Sequence, residues 1–407
     1  MKLSEIQDVC TSQRSTLENQ EYGTERELLS KIPDIQSHAL VIKGVRRCGK
    51  STLLRQFVKK LNKPFFYLNF EDLRLASFNH SDFSLIDTVI SDSGAKFIFF
   101  DEIQSADRWE LYIRQKLDEG FQLAITGSNA SLLSKEFGTS LTGRHISKEL
   151  FPFSYMEFCS FFGVEKSAKS FMNYLEKGGF PEYLKTKNAD ILVQLQSDIL
   201  FRDIAVRYKI RDAASLKRLF VYLISNPAQL FSPSKLTNIA GVKSPTTLLE
   251  YISFFEAAYL LHLLPCFSWS VKSQNLAPKK AYIIDSGIIK TGSFSFSENY
   301  GAILENYVFN YLRTKIEVPE FLADSEIFYF IGKSGAECDF ILAPQKKPSC
   351  IQVCWDLNTN NQDREINGLL EAMDFFNLNT GTILTYNTED IIQISGKKIM
   401  VIPVWNY

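Results

Sequence analysis

The sequence predicts an α/β fold in three parts: a parallel sheet near the N-terminus, a mainly helical middle and a second α/β part. Three observations predict it. First, from about residue 39 to 150, short apolar runs alternate with helical stretches. "HALVIKG", "PFFYLNFED", "KFIFFDE" and "FQLAITGSN" read as strands, and "KSTLLRQFVKKL" reads as an amphipathic helix. Runs this continuously apolar suit strands buried on both faces, hence a parallel sheet with helices around it. Second, from about 151 to 275 strands fade and helices dominate. Third, after about 276 strands return in "KAYIIDSG", "IFYFIG", "ECDFILA", "CIQVCWD" and "GTILTYN", with helical stretches at 299–315 and 362–376. No internal repeat or low-complexity tract breaks the pattern.

Composition bounds the reading. The chain has 407 residues, and domains usually run to ~100–200 residues, so two or three are expected. Apolar residues make up 45%, ample for real cores. The net charge is -1, so any nucleic-acid or membrane contact must come from a local patch. The seven cysteines form no C-x-x-C pair, which disfavours zinc and disulfide frameworks and suits reduced thiols in the cytoplasm. The opening "MKLSEIQDVCTSQ" lacks a signal-peptide core. No apolar stretch approaches the ~20 residues of a membrane span, so no membrane partner is expected.

The stretch "VIKGVRRCGKSTLLRQF" carries the chemistry. Gly44, Gly49, Lys50 and Ser51 satisfy G-x-x-x-x-G-K-[ST] between an apolar strand and a helix. Glycines let backbone N–H groups turn onto phosphate oxygens, and the helix N-terminus adds its positive end. The loop Gly44, Val45, Arg46, Arg47, Cys48, Gly49, Lys50, Ser51 and Thr52 is the expected phosphate cradle. Lys50 would reach the β- and γ-phosphates, and Ser51 would ligate Mg²⁺. The alternative is an ordinary glycine turn.

A second element is "FIFFDEIQ", an apolar strand ending in Asp101 and Glu102. Two carboxylates beyond a buried strand are costly unless something uses them. Asp101 would help hold Mg²⁺, and Glu102 would polarise the attacking water. In "LAITGSNAS" a strand ends at Thr126, followed by Ser128 and Asn129. Asn129 is the candidate sensor of the γ-phosphate. In "SLTGRHISKELFPFSYMEF", Arg144 follows Gly143 in a loop and is a candidate arginine finger, in cis or from a neighbouring subunit.

These stretches, with "GGFPEYL", resemble the prokaryotic AAA-type ATPases that carry a C-terminal domain of unknown function. The order and spacing fit over nearly the whole chain. The resemblance implies an AAA-like ATP-binding core, a winged-helix-like middle and a C-terminal domain similar to restriction-endonuclease folds. The parts expected are 1–205, 206–275 and 276–407.

In the middle part, "SPSKLTNIAG" reads as a short helix closed by Gly241, and "VKSPTTLLEYISFFEAAYLL" as a longer one capped by Ser244 with Pro245 in its first turn. "YLLHLLPCFSW" and "KKAYIIDSG" would form a wing. Residues 206–275 hold eight Lys/Arg against three Asp/Glu. The recognition-like helix offers Thr246, Thr247, Glu250 and Ser253, which read bases poorly. Packing against the ATPase core or a partner is the preferred role. DNA binding without sequence preference, through Lys235, Lys243 and Lys272, is the alternative.

In the last part, Glu305 sits on a helix, and Glu337 and Asp339 share one side of a strand. Metal-dependent nucleases of the restriction-endonuclease class follow such acids with E-x-K. Here those positions are Gln352 and Cys354. A neutral amide and a thiol replace the last two groups, so a scaffold or binding surface is expected, with metal binding left open.

The sequence therefore reads as a cytoplasmic ATPase using ATP and Mg²⁺, with Lys50, Glu102, Asn129 and Arg144 in catalysis and Ser51 and Asp101 on the metal. It would couple nucleotide state to its C-terminal modules, with homo-oligomerisation and a protein client left open. The rivals are an ATP-gated nuclease and a nucleic-acid-binding regulator that uses ATP only as a switch.

Overall fold

The computed structural model describes residues 1–128, 143–293, 299–315, 326–343 and 348–407. It divides into two compact units, Met1–Phe151 with Ala257–Tyr259, and Pro152–Glu256 with Leu260–Tyr407. All seven cysteines are free. Among the described residues, no helix is long and apolar enough to cross a membrane.

The first unit is built on a five-stranded sheet. Its strands are β1 (Ala39–Lys43), β2 (Phe65–Asn69), β3 (Phe97–Asp101), β4 (Gln122–Gly127) and β5 (His145–Glu149). Their order is β2-β3-β4-β1-β5, and every neighbouring pair is parallel. Side chains alternate between faces, so one strand feeds two cores. On β3, Phe97 and Phe99 meet Phe57 of α2 (Lys50–Leu61) edge-on. Ile98 and Phe100 face the other way, into a core with Ile6 and Val9 of α1 (Leu3–Asn19), Ile86 and Ile90 of α3 (Phe83–Ser93), and Trp109 and Ile113 of α4 (Trp109–Asp118).

The four expected strands of this sheet are all present. The fifth, β5, lies where the sequence suggested only a loop. "HISKE" has one strongly apolar residue in five and is half-buried throughout. Pairing with β1, not apolar drive, makes it a strand.

The second unit begins with helices, among them Tyr155–Phe162, Ala168–Lys177 and Ala213–Ser225. The two expected helices of the middle part run Pro233–Ala240, ended by Gly241 at φ +70°, and Pro245–Ala257, where Ser244 Oγ accepts the Thr247 N–H at 3.2 Å. Strands β6 (Leu230–Phe231), β7 (Leu261–Leu264) and β8 (Lys279–Ile283) form a small antiparallel sheet in the order β6-β8-β7. A mixed sheet follows, from β9 (Ile327–Ile331), β10 (Glu337–Leu342), β11 (Ser349–Val353), β12 (Thr380–Thr385), β13 (Asp390–Ile394) and β14 (Lys397–Pro403), in the order β13-β14-β12-β11-β10-β9. The helices Tyr300–Lys315 and Gln362–Phe375 match the expected ones.

One buried carboxylate ties three sequence stretches together. Asp285 accepts the N–H groups of Gly179 at 2.6 Å and Gly287 at 2.8 Å, while Phe153 donates its N–H to Gly179 O at 2.7 Å. A Cβ at Gly178 (φ +72°) would fall 2.1 Å from Asp285 Oδ1, and one at Gly179 would fall 2.2 Å from Phe153 O. "GGF" is glycine-rich because "FPF" and "IDSG" press against it.

Burial pushes the Asp285 carboxyl up from its ordinary value to about 6, against backbone N–H bonds from Gly179, Gly287 and Ile288. A folded pKa above the unfolded one favours the fold below the unfolded pKa, and that advantage disappears as pH rises through about 6. Wild type minus Asp285→Asn unfolding free energy should therefore be larger at about pH 4 than at about pH 7, by up to about 3 kcal/mol. Urea unfolding of both proteins at the two pH values checks it; a difference that does not change, or that grows with pH, contradicts it.

Candidate nucleotide site and a second buried cluster

The loop between β1 and α2 follows from two glycines. Gly44 has φ +149° and Gly49 has φ +103°. A Cβ at Gly44 would lie 2.1 Å from Leu150 O, so only glycine allows the chain beyond β5 to come so near. Gly49 precedes the first residue of α2, whose N-terminus thus points into the loop.

Lys50 is buried, and its Nζ donates to Gly44 O at 3.1 Å and Val45 O at 3.3 Å. It also pairs with Glu102 Oε1 at 3.4 Å. The strand order explains the meeting. β4 separates β1 from β3, so the carboxylates at the end of β3 face the loop across one strand.

Asp101 is fully buried and accepts bonds from Thr126 Oγ1, from Tyr67 OH at 3.1 Å and from the Ser51 side chain. Thr126 Oγ1 in turn accepts the Glu102 N–H at 2.9 Å. Glu102 Oε2 accepts from Ser128 N at 3.2 Å, from Ser128 Oγ at 3.0 Å and from Gln104 Nε2. Glu102 holds φ +49°, an uncommon conformation for a residue with a side chain.

Burial raises the Asp101 carboxyl, with Glu102 beside it adding to the shift and bonds from Ser51 and Thr126 opposing it. Burial also pushes Glu102 upward, but Lys50, Gln104 and Ser128 outweigh it and hold the carboxyl below its ordinary range. For Lys50 burial favours the neutral amine, yet Glu102 and Asp101 leave its pKa raised. The pair is therefore an ammonium and a carboxylate at neutral pH.

The structure thus gathers Gly44, Gly49, Lys50, Ser51, Asp101 and Glu102. Arg46 donates to Glu71 Oε1 at 3.1 Å, and Arg47 sits at φ +63°. Asn129 lies outside the described residues. Arg144 is not brought to its own chain's loop. Its carbonyl accepts the Ala39 N–H at the start of β1, and its guanidinium pairs with Asp118. The loop leaves the other end of β1, about 13 Å away along a five-residue strand. Tyr67 and Gln104 join the site without having been assigned roles, and Ser128, one of the two polar residues expected after β4, is placed on Glu102. The signal for Tyr67 and Gln104 was position alone: one on the neighbouring strand, one just past a strand end.

The second unit holds the other acids. Lys280 on β8 is buried and pairs with Glu305 at 2.8 Å, Glu337 at 2.5 Å and Asp339 at 3.3 Å. Tyr282 OH donates to Glu305 at 2.7 Å. Asp339 Oδ2 accepts the Val353 N–H at 2.9 Å. Gln352 Oε1 accepts the Asp339 N–H at 3.2 Å, and its Nε2 donates to Glu365 at 2.7 Å. Burial lifts the Cys354 thiol to about 12 and keeps it neutral. Glu337 and Asp339 do share a face, but an ammonium from this chain stands among them. Among the described residues, no three His, Cys, Asp or Glu are grouped to hold a metal ion. The sequence signal for Lys280 was the alternation of Lys280 and Tyr282 within an apolar strand.

Residues 36–159 match the family described as an AAA domain, and residues 168–294 match a domain of unknown function, DUF8612. An uncharacterized protein of Methanocaldococcus jannaschii, MJ1544, is 34% identical over 96% of this chain and 93% of its own length. An uncharacterized protein of Haemophilus influenzae is 29% identical over 90% of this chain and 93% of its own. Among solved structures, a point mutant of Thermotoga maritima RuvB superposes with TM-score 0.30 at 18% identity, covering 55% of this chain and 82% of that one. The RuvB Holliday junction branch migration motor of the same organism gives 0.28 at 17%, covering 61% and 87%.

Removing Lys280 strands three acids in a low-polarity site. Lys280→Met should lower stability by about 3–5 kcal/mol, and adding Asp339→Asn should recover part of the loss. Urea unfolding checks both; a Lys280→Met protein as stable as wild type contradicts the counter-ion role.

Proposed function

We propose, for a chain that belongs to the same family as its Methanocaldococcus relative and matches an AAA domain over residues 36–159, that it binds ATP at Gly44–Thr52 and hydrolyses it to ADP and phosphate. The observation that carries this reading is the Lys50 ammonium, held between the loop carbonyls and Glu102. An arriving polyphosphate competes for that ammonium. Loop N–H groups and the N-terminus of α2 supply the other positive contacts.

As Lys50 turns to the phosphates, Glu102 loses its cationic partner and keeps Gln104 and Ser128, which aim its carboxylate. With Lys50 drawn away, the bonds from Gln104 and Ser128 still favour the Glu102 carboxylate, which would accept a proton from water. Ser51 and Asp101 already meet, and their hydroxyl and carboxylate oxygens are the hard donors that Mg²⁺ takes. Mg²⁺ held there would neutralise charge on the phosphate oxygens. A divalent cation also suits a buried Asp101 whose pKa is otherwise raised. Asn129 keeps its proposed sensor role, and Arg144 its role toward a neighbouring subunit, which makes a homo-oligomer part of the proposal.

The nucleotide state would be passed to the parts at 206–275 and 276–407, read as winged-helix-like and restriction-endonuclease-like, in a cytoplasmic protein with an unknown client. The nuclease rival is disfavoured by Gln352, by the neutral Cys354 and by the ammonium among the acids. The regulator rival rests on Lys235, Lys243 and Lys272, all exposed. Contacts of that kind bind DNA without sequence preference and weaken steeply with salt.

Lys50→Ala should abolish ATP binding, while Glu102→Gln should bind ATP and lose turnover by at least ~10²-fold. Calorimetry and phosphate release separate the two. Equal loss of affinity in both variants, or full turnover in Glu102→Gln, contradicts the assigned roles.

A further inference from the structure

Arg26 matches no motif, yet it is 2% exposed and lies against the phosphate loop. Its backbone N–H donates to Gln56 Oε1 at 3.1 Å. Its Nη1 donates to Cys48 O at 2.7 Å, and its Nη2 to Phe151 O at 2.7 Å. A Cβ added at Gly49 would come within 2.9 Å of Nη1, so the guanidinium touches the last turn of the loop.

The segment that carries Arg26 is itself tied down. Gln56 Nε2 donates to Tyr22 O at 2.8 Å and Thr24 O at 2.7 Å. Arg55 donates to Gln20 Oε1 at 2.5 Å and Glu21 O at 3.2 Å. Residues 20–26 thus form a strap along α2, and Arg26 is its buried end.

A peptide plane is rigid and trans, so its C=O and N–H point in opposite directions. By drawing the Cys48 carbonyl toward itself, Arg26 turns the Gly49 N–H the other way, away from the strap. The bond from Nη2 to Phe151 O anchors the guanidinium that holds the Cys48 carbonyl. Gly49 has no side chain to resist the approach.

We propose that Arg26 is a positioning residue of the nucleotide site, which presets the 48–49 peptide so that the Gly49 N–H is aimed at bound phosphate. This rests on the ATP-binding reading above. Arg26 acts through the loop, so its loss weakens every ligand that uses the loop, whatever base that ligand carries.

The test uses full-length protein with Mg²⁺ and two ligands, ATP by calorimetry and inorganic triphosphate by competition with ATP. Arg26→Gln should weaken both by the same factor, on the order of 10–100-fold. Arg26→Lys, which keeps one strong donor, should fall between that variant and wild type, and it serves if Arg26→Gln does not fold. A merely structural role would lower the melting temperature but leave the affinity of the folded protein unchanged. Unchanged affinities therefore overturn the proposal. So does a loss for ATP with none for triphosphate, which would place Arg26 on the nucleoside. Lys50→Ala is measured alongside: if it binds ATP as wild type does, the loop is not the site and the ATP-binding reading itself falls.

Discussion

The Lys50–Glu102 ion pair is the interaction on which the first unit's chemistry depends. Either charge alone in that place would be costly, because burial removes water from it. Together they are compensated, and each partner's pKa moves toward keeping its charge. The pair also sets what can enter. A group that replaces Glu102 as the partner of Lys50 must be anionic and must fit a loop with a glycine at each end. Polyphosphate meets both conditions.

The sheet makes this pairing possible. Parallel strands end on the same edge, so the loop after β1 and the acids after β3 share that edge. β4 stands between them and contributes Thr126, which binds both the Asp101 carboxylate and the Glu102 N–H. The second unit uses a buried ammonium differently. Lys280 meets three carboxylates where Lys50 meets one close partner. A cluster so rich in acid stays anionic or takes up protons, and in neither state does it offer phosphate an unshared cation. Two buried lysines in one chain thus point to different roles, one for binding phosphate and one for holding acids together.

The sequence made the buried parts of the fold easiest to read. β1 to β4 are continuous apolar runs, and their burial on both faces explains why. β5 was missed because its residues are mostly polar and half-buried, and the edge strand β13 because its isoleucines are too few and too exposed to form a buried run; pairing holds both in place. At the site, Gly44, Gly49, Lys50, Ser51, Asp101 and Glu102 were legible because phosphate chemistry restricts spacing and residue type. Tyr67 and Gln104 were not, since a side chain that orients another needs only reach. Arg26 was hidden for the same reason, being 22 residues from the carbonyl it holds. Arg144 lies at the other end of β1 from its own chain's loop, which leaves the neighbouring-subunit form of that reading as the one proposed.

A crystal structure of the full chain with Mg²⁺ and a non-hydrolysable ATP analogue is the most direct measurement. The account predicts that Lys50 Nζ leaves Glu102 and the loop carbonyls and lies within hydrogen-bond distance of the β- and γ-phosphate oxygens. Glu102 stays bonded to Ser128, with its free oxygen facing the γ-phosphate. An analogue bound elsewhere, or a Lys50–Glu102 pair that persists with the nucleotide in place, would contradict it.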